Sequence, residues 1–130
     1  MEKCIFCKII KGELDTNKVF EDQNFLSFLT IEPVNIGHIL VIPKKHVVWM
    51  QEADDILIAD IFKLSKKLMI ALKKSTQCDF VEVLVVGEEI PHLHVHLIPR
   101  YLNDALPRFP IKKYKDGEAY EIVQKITEAL

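Results

Sequence analysis

The most constraining stretch of this chain is Pro91-His92-Leu93-His94-Val95-His96-Leu97-Ile98-Pro99-Arg100, in which three of the five histidines recur at every second residue between apolar neighbours. A strand turns successive side chains to opposite faces, so His92, His94 and His96 would share one face while Leu93, Val95 and Leu97 fill the other. On a helix the same three residues would fan over about 200°. The alternation therefore predicts a strand bounded by prolines, with chemistry on one face and core on the other.

At 130 residues and 49% hydrophobic composition, the chain has enough apolar surface for one compact domain over residues 1–130 and too few residues for two ordinary ones. A net charge of -2 provides no global field for holding nucleic acid or an anionic membrane, so any phosphate handling must be local. The opening Met1-Glu2-Lys3-Cys4 and the short apolar patch interrupted by Lys8 and Lys11 match neither a signal peptide nor a membrane span, and the expected location is cytoplasmic. Cys4 and Cys7, as C-x2-C among three cysteines, point to a metal half-site or a redox pair rather than a disulfide framework.

Ile5 and Ile9 at helical spacing, with Gly12 as a stop, predict a two-turn helix that puts Cys4 and Cys7 on one face. Val19–Asp22 and Phe25–Leu29 form a β-prone pair around Gln23-Asn24, and His38–Pro43 is an apolar run of strand length. From Asp54 to about Ser75 the period becomes helical, with Leu57, Ile61, Leu64, Leu68 and Leu72 as one stripe opposite Asp60, Lys63, Lys67 and Lys74. Phe80–Val86 is a further strand, which Gly87-Glu88-Glu89 turns into the histidine strand as an antiparallel hairpin. The segment to Lys115 is irregular and basic and is expected to drape over the site, and Asp116 is expected to cap a last helix. The predicted fold is α+β: an antiparallel sheet of about five strands with a long helix on one face, a short N-terminal helix and a C-terminal helix. The exposed edges of such a sheet favour symmetric dimerisation.

A lone histidine on a strand is ordinarily a partly buried polar residue with one hydrogen bond, but three in alternation add nothing to packing that Thr or Val would not add better. Two chemistries use such a set. His-x-His on a strand can hold a catalytic Zn²⁺. Alternatively, one neutral imidazole, its N–H held by a backbone carbonyl, attacks phosphorus and its neighbours serve the leaving group. The residues of the triad alone leave both open.

The chain resembles the histidine triad family of nucleotide hydrolases and transferases. The triad pattern is met without a gap by His92-Leu-His-Val-His-Leu-Ile98, supported by Cys4-Ile-Phe-Cys-Lys-Ile-Ile-Lys-Gly12, Val19-Phe-Glu-Asp22 and Pro33-Val-Asn-Ile-Gly-His-Ile-Leu-Val-Ile-Pro-Lys-Lys-His46 in family order. The resemblance implies His94 as the nucleophile on the α-phosphate and His96 at the leaving group, with His38 and His92 ordering the hydrogen-bond chain behind the nucleophile. It implies a structural zinc on Cys4, Cys7, His46 and His92, a closed thiolate and imidazole set. It implies a purine nucleotide-type substrate with Ile5, Phe6, Ile9, Thr30 and Ile31 around the nucleoside, and a homodimer. The chain departs from the family at Thr30, where an Asp commonly accepts from the ribose hydroxyls, so an uncharged contact is expected there. It also departs at Val86-Gly-Glu-Glu-Ile-Pro91, expected as a shorter turn with Glu88 and Glu89 where an anion should sit. Those departures favour a second reading, a nucleotide-binding module without catalysis; a zinc-dependent hydrolase is the third.

Overall fold

A computed structural model describes residues 3–130; Met1 and Glu2, part of the stretch read for a signal peptide, lie outside it. The elements are α1 (Ile5–Ile10), β1 (Lys18–Glu21), β2 (Phe25–Leu29), β3 (Ile39–Pro43), a 3-10 turn (Met50–Glu52), α2 (Asp55–Thr76), β4 (Phe80–Leu84), β5 (Val95–Arg100) and α3 (Glu118–Ala129). The five strands form one sheet in the order β1-β2-β3-β5-β4, every pairing antiparallel. The expected α+β architecture is therefore present. β3 and β4 both run opposite to β5, so they are parallel to each other with β5 between them, and α2 makes the crossover.

Local chemistry explains the elements. Asp22 Oδ1 accepts from the backbone N–H of Asn24 at 2.8 Å and Phe25 at 2.7 Å, an Asx turn that closes the β1–β2 hairpin without Asn-Gly. Asp54 caps α2 by accepting from Leu57 N–H at 2.8 Å, and Gln77 ends it in the left-handed region. The α2 stripe buries Ile61, Leu64, Leu68 and Leu72 against Phe25, Ile39, Val41, Val95 and Leu97. Each such side chain contributes roughly 1.5–3 kcal/mol before conformational entropy is subtracted. On the opposite face α1 brings Cys4, Phe6 and Cys7 over Leu26, Phe28, Leu40 and Ile42. The sheet is thus covered by α2 on one side and partly by α1 on the other, and the space α1 leaves uncovered becomes the cleft.

The histidine strand starts later than the alternation implies. Regular pairing begins at Val95, opposite Val41, so His92 and His94 precede the ladder. β3 ends at Pro43, and the Pro43 carbonyl is taken by the ring of His92 (Nε2 to O, 2.8 Å) rather than by a backbone partner. The β4–β5 connection is residues 85–94, not a tight turn at Gly87-Glu88-Glu89. Nor does Asp116 cap the last helix: Gly117 occupies that position with φ 84°, and Glu118 instead accepts from Lys115 N–H at 2.9 Å.

Gly37 sets the approach to His38. It has φ +95°, and a Cβ there would meet Pro99 Cγ and Thr76 Cγ2, each at 3.2 Å. Gly37→Ala is expected to destabilise the chain by about 2 kcal/mol, combining left-handed strain with the close contacts. Urea unfolding measures it, and a midpoint unchanged from wild type would contradict the strain argument.

Candidate active site and metal centre

Two histidine clusters meet at residues 92–96. The first is buried except for the half-buried His46. The Sγ atoms of Cys4 and Cys7 and the ring nitrogens of His46 and His92 all lie within 4.8 Å of one another. His92 Nδ1 stands 3.4 Å from Cys4 Sγ, 3.6 Å from Cys7 Sγ and 3.2 Å from His46 Nδ1, and His46 Nδ1 is 3.2 Å from Cys7 Sγ. A tetrahedral centre with bond lengths of about 2.3 Å to sulfur and about 2.05 Å to nitrogen spaces its S and N donors about 3.6 Å apart and its N donors about 3.3 Å apart. These four separations fit that spacing, and all the donors, within 4.8 Å of one another, are close enough to bind a metal ion. The donation of His92 Nε2–H to Pro43 O fixes the tautomer that leaves Nδ1 free to ligate. Burial and the adjacent Cys4 thiol push the Cys7 thiol up, the opposite of what a free reactive thiol needs. Cys4 also caps α1 by accepting from Cys7 N–H at 3.4 Å, so the short helix and the donor set form together.

The second cluster opens to a cleft of about 440 Å³ bordered by Thr30, Ile31, His38, Glu88, His94 and His96, with Leu40, Leu84, Val86 and Ile98 as its apolar walls. His94 Nδ1 donates to the His92 carbonyl at 2.7 Å, leaving Nε2 with its lone pair. Phe6 packs edge-on against the His92 and His94 rings, with centroids 5.8 and 5.2 Å away, and keeps them from rotating. His96 lies beside His94 at 4.9 Å between centroids.

The wiring of His96 follows from one backbone donor. Val34 N–H donates to His38 Nδ1 at 3.1 Å, so the His38 proton sits on Nε2, which donates to His96 Nδ1 at 3.0 Å. His96 then carries its own proton on Nε2. Burial, followed by the neighbouring His94 and His38, lowers the His96 pKa to about 4, and burial also lowers that of His38. A depressed imidazole pKa means that the unfolded chain binds this proton first as pH falls. Stability from this source is full above about 6.5 and is lost progressively towards 4. The thermal midpoint of wild type is therefore expected to fall across that window, and that of His96→Asn to fall less. Parallel pH curves for the two would contradict the assignment.

The other expected contacts divide. Thr30 and Ile31 line the cleft, Ile31 being 91% exposed. Phe6 is buried beneath the histidines, Ile9 is half-buried on the Leu26 cluster, and Ile5 is 44% exposed; none of the three borders the cleft. His38 partners the ring of His96, and His92 supports His94 through its carbonyl. Sequence reasoning missed the Val34 N–H and the Pro43 carbonyl, which are backbone atoms without a side-chain signature. It also missed Leu40 and Leu84, the cross-strand neighbours of His96, although strand register would have found them. The basic segment after Arg100 does not drape over this cleft, whose lining ends at Ile98.

The α+β sheet thus presents His94 and His96 at one cleft, with His38 wired to His96 and His92 behind them in the cysteine and histidine cluster. The family model for the HIT domain matches residues 11–103, and the chain belongs to that family. An adenosine 5'-monophosphoramidase of Saccharomyces cerevisiae is 37% identical over 75% of this chain and 62% of its own length. An adenylylsulfatase of Arabidopsis thaliana is 36% identical over 98% of this chain and 69% of its own. Among solved structures, a HIT family protein of Bacillus subtilis superposes with a TM-score of 0.87 at 34% identity, covering 98% of this chain and 97% of that one. A Zn-bound histidine triad protein of Mycobacterium smegmatis gives 0.77 at 25% identity, covering 99% of both.

Proposed function

We propose that this chain hydrolyses nucleoside phosphoramidates, or related nucleotides with a phosphoanhydride leaving group, through a nucleotidyl-His94 intermediate. The observation that carries the proposal is the His94 Nδ1 donation to His92 O at 2.7 Å, which leaves an unprotonated Nε2 at the cleft. Nε2 attacks the α-phosphorus as the bond to the leaving atom breaks. His96 presents Nε2–H to that atom, and the bound phosphoryl anion opposes the burial that keeps His96 neutral. The proton the leaving amine needs thus comes through His96, ultimately from solvent. Water then attacks the intermediate, releases the nucleoside monophosphate and restores His94. The apolar cleft walls suit a purine, and Thr30 offers the ribose an uncharged partner.

Cys4, Cys7, His46 and His92 would hold a structural zinc, whose role is to tie α1 to the segment behind His94; the Zn-bound M. smegmatis relative supports this. Three free thiols suit a reducing, cytoplasmic location. No helix among the described residues is long and apolar enough to cross a membrane. The unpaired edge of β4, with Phe80 and Val83 exposed, suits a homodimer.

A substrate panel run beside metal analysis tests the proposal. Adenosine 5'-phosphoramidate, adenylyl sulfate and diadenosine polyphosphates are expected to release AMP, with about one zinc per chain. Glu88 and Glu89 at the cleft favour the second reading, a binding module without catalysis. Nucleotide binding without AMP release from any member of the panel would select it.

A further inference from the structure

The loop between β2 and β3, which carries Val34 and His38, buries little of itself before it reaches His38. Glu32, Pro33, Val34 and Ile36 are all exposed, Ile36 at 85%. Apolar burial therefore does not fix this loop, yet the proton on His96 depends on where its Val34 N–H points. Polar contacts hold it instead.

The ladder between β3 and β5 ends at Ile39 opposite Leu97, two residues short of Pro99. The side chain of Asn35 takes up the Pro99 carbonyl, with Nδ2 donating to it at 2.8 Å. Asn35 Nδ2 also donates to Asp104 Oδ2 at 3.4 Å. Arg100 holds that carboxylate through Nε at 2.7 Å and Nη2 at 3.1 Å, and keeps it ionised well below the usual carboxylate range. Both partners only accept, so the amide is oriented with its nitrogen between them. Asn35 also works towards the site, because its backbone carbonyl accepts from His38 N–H at 3.1 Å. One residue thus ties the loop to the strand of His96 and closes the turn around His38.

We propose that Asn35 is the positioning residue for the proton on His96, acting through Val34 and His38. With the loop clamped to Pro99, Val34 N–H meets His38 Nδ1, His38 is protonated on Nε2, and His96 keeps its own proton on Nε2. Without the clamp Val34 N–H withdraws, His38 takes its proton on Nδ1, and His38 Nε2 becomes an acceptor. His96 Nδ1 then donates to it, and His96 Nε2 meets the leaving atom with a lone pair, the wrong form for an acid. The number of protons is unchanged, since each ring exchanges one N–H for the other. The proposal rests on the preceding functional reading only for the use of that proton.

Full-length variants test it. Asn35→Asp keeps the shape of the side chain and removes the donor, and Asn35→Ala removes the whole group. Both are expected to lower kcat for adenosine 5'-phosphoramidate about tenfold while KM stays within about twofold of wild type. In a His38→Ala background Asn35→Asp should lower kcat little further, because the two residues act in series. Imidazole nitrogen NMR spectra read the tautomers without turnover: wild type should show His38 protonated on Nε2, and both variants should show Nδ1 protonation at His38 and at His96. An Nδ1-protonated His38 in wild type, a His38 tautomer that neither variant alters, an unaltered kcat in an active enzyme, or the full tenfold loss repeated without His38 would overturn the proposal. If wild type turns nothing over, the hydrolase reading falls and the spectra alone decide the role of Asn35.

Discussion

Replacing His94 by alanine is expected to lower kcat/KM for adenosine 5'-phosphoramidate by about a thousandfold or more, a loss of about 4 kcal/mol of transition-state stabilisation. The effect should fall almost entirely on kcat, because the cleft walls Leu40, Leu84 and Ile98 and the rim at Thr30 and Ile31 stay in place. The fold should survive, since the Phe6 ring retains Phe28 and His92 as neighbours. Steady-state kinetics with thermal melting of the same sample checks both halves. His96→Ala should be milder, since it removes a donor rather than the bond-forming atom. His38→Ala should act chiefly through His96, shifting the pH profile of turnover. Undiminished turnover in His94→Ala would remove the nucleophile from the account.

The second large effect concerns the metal centre. Cys4→Ser/Cys7→Ser is expected to lose bound zinc and to lower the thermal midpoint by about 10 °C or more, corresponding to roughly 3 kcal/mol in a chain of this size. The reason lies in how much of the fold passes through four side chains. Cys4 and Cys7 seat α1, His46 leads off the segment after β3, and His92 sits directly behind the nucleophile. Leu93 N–H donating to Val47 O at 2.6 Å joins the last two segments. Activity should fall in step with the folded fraction. If a chelator abolished turnover while the melting temperature stayed constant, the metal would be catalytic, and the third reading of the triad would replace the first.

These expectations show which features of the chain can be read in one dimension. The α2 stripe from Leu57 to Leu72 repeats a helical period over about four turns and is bracketed by Asp54 and Gln77, so periodicity and capping agree. The triad was legible for a related reason: alternation on extended backbone keeps His92, His94 and His96 adjacent even though regular pairing begins only at Val95. Four features were not legible. The tautomer chain starts from the backbone N–H of Val34, the orientation of His92 depends on the Pro43 carbonyl, and both depend on tertiary approach rather than residue type. Asp116 carried a capping signal, but Gly117 took the position because a left-handed turn was needed there. The basic segment was recognisable as basic, but its exposure from Pro107 onward was not legible, because exposure depends on tertiary packing rather than residue type.

The central claim is that phosphorus becomes bonded to His94 during turnover. Wild-type protein mixed with excess adenosine 5'-phosphoramidate, quenched in alkali to preserve the phosphorus–nitrogen bond and digested for peptide mass spectrometry, tests it most directly. The account predicts one adenylyl group on the peptide containing residues 92–96, with fragmentation assigning it to His94 and none found in His94→Ala. An adduct on His96, or steady AMP release with no adduct at any quench time, would contradict it.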